Sequence, residues 1–288
     1  MTRISRREWH VLMLGSLATS VVEPWTSLQA QRGSAAPGVE IGVQSYSFRD
    51  RPLEGAIDGM TAAGLTSCEL WQGHVEPKGL SREDLRKWRV TGPLSTFTEI
   101  RAKFERAGIR LNAYNLSFRD DFSDEEIARG FAMAEALGAP VLTASAHQAV
   151  VRRVAPHAER ARLRVGMHNH SDIKPNEFAT PDDFERALAV SPMIAVNLDI
   201  GHFTAANFDA LAFLRKRHNR IVTLHVKDRQ RDQGPAVPFG EGDAPIREVL
   251  RLLRAERWKI PANIEYEYDG ADTVAEVKRC VEYCRAAI

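Results

Sequence analysis

The chain has 288 residues, 44% of them hydrophobic and 27% charged, which is an ordinary globular composition. A formal net charge of +1 excludes an overall electrostatic pull toward nucleic acid or an anionic membrane. The 3 cysteines, Cys68, Cys280 and Cys284, form no spaced framework and so exclude a disulfide scaffold.

The chain opens with MTRISRREWHVLMLGSLATSVVEPW, which has Arg3, Arg6 and Arg7 ahead of a mild apolar run and small residues near Ala30. The pair Arg6-Arg7 after Ser5 resembles a twin-arginine export signal, so residues 1–36 are expected to be a leader and linker. Periplasmic or otherwise exported localisation follows from that expectation. The apolar run is too short and too mild to span a bilayer. Residues 37–288 are expected to form one domain.

From Val39 onward, short apolar runs alternate with longer helical stretches. The runs are EIGVQSYSF, TSCELWQGH, IRLNAYNLSF, APVLTASAH, RLRVGMHNH, MIAVNLDIGH, RIVTLHVKD and PANIEYEYD. Between them, DEEIARGFAMAEALG, TPDDFERALAVS, DALAFLRKRH and PIREVLRLLRAERW carry helical periodicity, several behind Ser, Thr or Asp caps. Alternation of eight such runs with helices over roughly 250 residues is the pattern of an α/β fold, a single (β/α)8 TIM barrel. A doubly wound sheet would show a glycine-rich turn after its first strand, and GVQSYSFRD has none.

In a barrel of this kind the C-terminal strand ends form the active site, and residues of one parity share a face. The fifth run then directs His168 and His170 to the mouth, and the sixth Asn197 and Asp199 with His202 just beyond. The seventh directs His225 and Lys227 there, and the eighth Glu265 and Glu267. His168, Asp199, His225 and Glu265 together offer two imidazoles and two carboxylates, a set suited to Mn, Co, Fe or Zn, with Mg less natural. A lone inward histidine or aspartate is usually a satisfied core residue, but four at successive strand ends are costly to bury without a cation.

NLDIGH, LHVKD, PFGEGDAPI and NIEYE together resemble the xylose isomerase-like barrels, the sugar phosphate isomerases/epimerases. The resemblance implies that Asp199, His225 and Glu265 are metal ligands, with Glu265 the candidate base, and that His202 lies beside the substrate or a further metal. Family epimerases commonly end the fifth strand in glutamate, where this chain has His168. That departure removes the second of two opposed carboxylates and raises the weight of β-elimination on a 3-keto-glycoside. Isomerase or epimerase chemistry on a ketose-like carbohydrate is the expectation, with the keto-glycoside lyase and a non-catalytic sugar-binding barrel as alternatives. Endonuclease IV shares this barrel, but HVKDRQRD lacks the histidine two places after Asp228 that its third metal needs.

Catalytic roles are expected for Glu265, His170 and Lys227, and substrate contacts for Glu69, Trp71, His74, Tyr114, Asn115, His147, His202 and Glu267. Ser117 and Ser145 are further candidates for the pocket wall. Lys227 has an alternative role as an ion-pair partner of Asp228 or Glu241. The expected partner is a small carbohydrate, with no nucleic acid and no membrane; a homo-oligomer is compatible with the sequence.

Overall fold

A computed structural model describes residues 38–288; the expected leader and linker lie outside these residues. Eight parallel strands close into a barrel in chain order. They are β1 (Ile41–Gln44), β2 (Ser67–Trp71), β3 (Arg110–Asn115), β4 (Val141–Ala144), β5 (Arg164–His168), β6 (Ile194–Asp199), β7 (Ile221–Val226) and β8 (Ala262–Ile264). Gly42 opposite Asn263 joins β1 to β8 and closes the ring.

The connections carry α1 (Leu53–Ala62), α2 (Arg82–Thr91), α3 (Ser95–Arg106), α4 (Asp124–Leu137) and α5 (Val151–Ala161) in the first half. The second half carries α6 (Pro181–Leu188), α7 (Ile200–Ala205), α8 (Ala210–Arg217), α9 (Ile246–Glu256) and α10 (Thr273–Arg285). No helix among the described residues is long and apolar enough to cross a membrane.

Local chemistry sets the helix limits. In α4, Ser123 Oγ accepts from Glu126 N while the Glu126 carboxylate accepts from Ser123 N, a reciprocal cap. The same helix ends at Gly138 with φ 67°, a left-handed turn that glycine adopts without a Cβ clash. Thr180 and Asp183 cap α6 in the same reciprocal way, with Pro181 in its first turn.

The main core lies between the outer strand faces and the helices. Phe178, Phe184, Phe203 and Phe213 form one run of ring contacts within it, with Phe184 and Phe213 centroids 5.4 Å apart. Full burial of each such side chain contributes about 1.5–3 kcal/mol. All three cysteines are buried and free.

The barrel interior is mostly polar where branched aliphatics usually dominate. A small apolar cluster of Ala113, Val141, Ala195 and Val222 is separate from the main core. Otherwise Glu69, Asn112, Thr143, Asn197 and Asn263 are all buried inside the strands. Glu69 Oε1 accepts from Gln44 Nε2 at 2.9 Å, Thr143 Oγ1 at 2.6 Å and Asn197 Nδ2 at 3.3 Å. Its Oε2 accepts from Asn263 Nδ2 and His225 Nε2, each at 3.0 Å. A carboxylate with 0% exposure survives because every direction around it holds a donor.

Candidate metal centre at the barrel mouth

Strand register brings the donors to one level. His168 pairs with Asn197, and His225 pairs with Asp199 on one side and Asn263 on the other. β8 ends at Ile264, yet Glu265 N still donates to Val226 O at 3.0 Å, which holds Glu265 beside His225. The ligand-capable atoms of His168, Asp199, His225 and Glu265 all lie within 4.8 Å of one another, and all four residues are buried.

Each donor is braced from behind. Asn169, between the two histidines of HNH, clamps the backbone of Asp199: its Nδ2 donates to Asp199 O at 3.1 Å, and Asp199 N donates to its Oδ1 at 3.0 Å. Asp199 Oδ1 then accepts from His202 N at 2.7 Å and caps α7, leaving Oδ2 to the cavity. Gly201 lets α7 start against β7, since a Cβ there would stand 2.5 Å from Lys227 O. His225 Nε2 donates to Glu69 while its Nδ1 faces Glu265 Oε2 at 3.1 Å. A histidine braced by a carboxylate on one nitrogen presents the other in a fixed tautomer and orientation.

The residues fit a divalent cation. His168 Nδ1 and Asp199 Oδ2 are buried without a hydrogen-bond partner among the described residues. Asp199 Oδ2 does lie 3.2 Å from Lys227 Nζ, a charge contact lacking hydrogen-bond alignment. Four carboxylates (Glu69, Asp199, Glu265 and Glu267) gather around one lysine, Lys227, and the His225 imidazole, so negative charge at the centre exceeds the positive charge in contact with it. Burial without a counter-ion is expensive, and a divalent ion supplies the missing charge.

Electrostatics divide the histidines. Burial, helped by His225 and His170, holds His168 well below the usual histidine range, so it is neutral and ligand-ready. Burial and then Lys227 depress His170, and more strongly His202. Burial alone would also depress His225, but the Glu69 and Glu265 carboxylates prevail and raise it. Burial lifts the Asp199 carboxyl to about 6 in spite of Lys227. For Glu265, Lys227 and His225 outweigh burial and hold its carboxyl well down.

Lys227 is buried and contacts Asp199, Glu265 at 2.8 Å, Glu267 and His202 Nε2 at 2.9 Å. Its ammonium is held charged by those carboxylates against the opposing effect of burial. Of its two expected roles the ion pair with Asp228 or Glu241 is not the one seen. Asp228 instead accepts from Gly240 N at 2.7 Å and from Gly242 N and Ala244 N at 3.2 Å, which explains the glycine-rich PFGEGDAPI stretch. A Cβ on Gly242 would collide with Asp228 Oδ1. Asp228→Ala is therefore expected to cost about 2–4 kcal/mol and to open residues 230–245 to limited proteolysis. Unchanged thermal unfolding and digestion would contradict that anchoring role.

The centre opens into a cavity of about 270 Å³. His168, His170, His202, Lys227, Glu265 and Glu267 form one wall, and Gln44, Tyr46, Trp71, Asn115, Ser117 and Arg119 the other, with Ser145 between. A groove of about 310 Å³ around Pro52 and Lys103 lies elsewhere, and its Lys103 already pairs with Glu54.

The expected residues Trp71, Asn115, His170, His202, Lys227, Glu265 and Glu267 thus meet at one mouth. Four expected substrate contacts do not line it. Glu69 has the right parity but sits one pleat below Trp71, beneath His225. His74 turns away after β2, with Nδ1 2.9 Å from Ser45 Oγ. Tyr114 points outward, edge-on to Phe97, because its neighbour Asn115 takes the inward position. His147 stands at the rim between Asp120 at 3.0 Å and Glu177 at 3.4 Å. Gln44, Tyr46, Asn169, Arg119 and Arg229 were not expected. Only Gln44 has strand parity as a sequence signal; the others lie in turns and loops, where periodicity is lost.

Fold and centre together define a (β/α)8 barrel with a candidate divalent-metal site at its strand ends. The chain belongs to the xylose isomerase-like TIM barrel family, which residues 57–287 match. No curated protein matches the sequence. Among solved structures it is similar to 3-keto-D-glucoside 4-epimerase from E. coli, with 13% identity, 86% of this chain and 99% of that chain covered, and a TM-score of 0.65. It is similar also to a sugar phosphate isomerase/epimerase from Parabacteroides distasonis, at 18% identity, 87% and 97% coverage and a TM-score of 0.63. A xylose isomerase domain protein from Alicyclobacillus acidocaldarius gives 16% identity, 87% and 99% coverage and a TM-score of 0.62. At these identities the likeness is one of fold.

Proposed function

We propose that this protein is a divalent-metal-dependent isomerase or epimerase that enolises a ketose-like sugar. The observation that carries the reading is the buried set His168, Asp199, His225 and Glu265 opening into a polar, aromatic-lined cavity. Family membership and the names of the fold's sugar-processing neighbours support it. When bound, a divalent ion of the Mn, Co, Fe or Zn type supplies Lewis-acid stabilisation of charge on a substrate oxygen.

The residues divide the proton work. Glu265 Oε2 is engaged by His225 and Lys227, while no described residue bonds its Oε1, which is left to take the α-proton. Lys227 donates toward the substrate oxygen from within its cage of carboxylates. His170, its ring centroid 5.0 Å from that of His168 and 5.5 Å from that of His202, is the second acid/base, a neutral imidazole that accepts a proton from a substrate hydroxyl, while the proton held by Glu265 returns to carbon. Positioned acid/base groups of this kind typically contribute about 100- to 10,000-fold. Trp71 offers a sugar-stacking face beside Tyr46, at 4.9 Å between centroids.

One observation favours a second reading, lyase action on a 3-keto-glycoside. The two carboxylates that line the cavity, Glu265 and Glu267, both follow β8, and the wall from β1 to β4 presents none. Elimination needs one base and one acid, and Lys227 would protonate the departing oxygen. Export through residues 1–36 is part of this proposal, supported by the twin-arginine pattern and by an exported enzyme's access to glycosides.

The test is proton NMR in deuterated water of Mn(II)-loaded protein with ketoses and 3-keto-glucosides, with and without chelator. Chelator-sensitive deuterium uptake into a surviving sugar is the expected result. Release of an aglycone with an unsaturated ketosugar would select the lyase. Neither event across the panel would defeat both and leave a sugar-binding barrel.

A further inference from the structure

The cavity wall opposite the donor set carries a single charged side chain, Arg119. We propose that Arg119 is a specificity-determining residue that binds an oxyanion on the substrate, so that the substrate is an acidic sugar with a carboxylate or phosphate remote from its reacting carbons. This inference rests on the metal-dependent sugar reading above and narrows its substrate class.

Through its side chain Arg119 makes no hydrogen bond or ion pair with any described residue, although Asp120 and Asp121 follow it in sequence and Glu177 reaches the same histidine as Asp120. Those groups are committed elsewhere. Asp121 takes Arg82 Nε at 2.6 Å. Asp120 takes Asn176 Nδ2 at 2.8 Å and faces His147 at 3.0 Å. Glu177 faces His147 at 3.4 Å. The other arginines that reach into this rim, Arg82, Arg89 and Arg153, are likewise bonded to carboxylates. Arg119 is the exception, and it is the one that lines the cavity.

Its backbone is fixed although its head is uncommitted. Phe118 is fully buried, packed on Phe122 at 5.8 Å and Phe131 at 6.2 Å between centroids, and Phe122 N donates to Arg119 O at 3.1 Å. A guanidinium on an anchored stem presents a planar fork matched to carboxylate or phosphate oxygens. Charge points the same way. Arg119 is the one charged side chain on its wall of the cavity, and no carboxylate among the described residues is bonded to it. A cavity of about 270 Å³ limits the bound part to a single small sugar.

The test uses the full chain loaded with Mn(II) and three probes that share one skeleton: D-fructose, D-fructuronate and D-fructose 6-phosphate. Calorimetry is expected to show at least one anionic probe bound about 10- to 100-fold tighter than D-fructose. Arg119→Met should erase that preference with Mn(II) affinity unchanged and D-fructose affinity changed far less, and Arg119→Lys should restore part of it. Which anionic probe binds tighter identifies the carboxylate or the phosphate as the source. Equal binding of all three probes, binding of none, or an equal loss for all three in Arg119→Met would overturn the proposal. Deuterium exchange recorded on the same samples separates the two readings. Exchange of D-fructose without anion preference defeats the Arg119 inference alone, whereas Arg119-dependent anion binding without exchange or cleavage defeats the enolisation reading alone.

Discussion

Asp199→Asn is expected to lower Mn(II) affinity by more than about 100-fold, beyond the range typical of residues that merely support a ligand. The two oxygens of Asp199 have separate tasks, and the substitution separates them. Oδ1 caps α7 through His202 N, and asparagine caps about as well as aspartate, so the fold should persist. Oδ2 is the buried, unpartnered atom of the donor set, and its charge is what the variant removes. In the wild type, Mn(II) at about 100 times its Kd should stabilise by about 2.7 kcal/mol, a rise in Tm of roughly 5–10 °C. The variant should show nearly the wild-type Tm without metal and almost no rise with it. Asp199→Ala should behave alike toward metal but lose about 1 kcal/mol with the cap. Protons also compete for this group: burial lifts the carboxyl to about 6, so Mn(II) affinity should fall as pH drops through that value. Wild-type Mn(II) binding by Asp199→Asn would remove this residue from the centre.

What the sequence disclosed was what strand geometry makes rigid. A period of two allows no drift, so His168, Asp199 and His225 could be placed at one mouth from parity alone. Glu265 was legible for the same reason, because it continues the parity of β8 one step past the ladder. The barrel itself followed from eight apolar runs separated by capped helices. Parity gives a side but not a depth, and Glu69 shows the difference: it faces inward as expected yet lies beneath the centre. Where both neighbours of a pair were assigned to the mouth, as with Tyr114 and Asn115, only one could be there.

Beyond the strand ends the rule fails. β1 gives way to a 3-10 turn at Ser45–Phe48, and Tyr46 reaches the cavity from it. β2 does the same at Gln72–His74, and there the turn carries His74 away. Arg119 stands four residues past β3, placed by the burial of Phe118 rather than by any period. Asn169 looked incidental between two histidines, and its function depends on a contact with the next strand that no local pattern encodes.

Glu69→Gln is expected to lower stability and metal affinity together, which sets it apart from the Asp199 variants. The carboxylate accepts from five donors: Gln44, Thr143 and Asn197 on one oxygen, Asn263 and His225 on the other. An amide keeps one acceptor and replaces the second with a donor. Whichever way it turns, at least two buried donors then face an N–H₂ group, and each orphaned group costs about 1–3 kcal/mol. A net loss of about 4 kcal/mol, or roughly 8–16 °C in Tm for a domain of this size, is the expected result. His225 loses the partner that holds its Nε2 proton in place, so Mn(II) affinity should fall a further 10- to 100-fold, on the order seen when such a brace is removed. Circular dichroism melts and calorimetry on the same preparation read both quantities. A Tm within about 2 °C of wild type would mean that the buried network accepts a neutral group at its centre, and Glu69 could then not be the charge that orients His225.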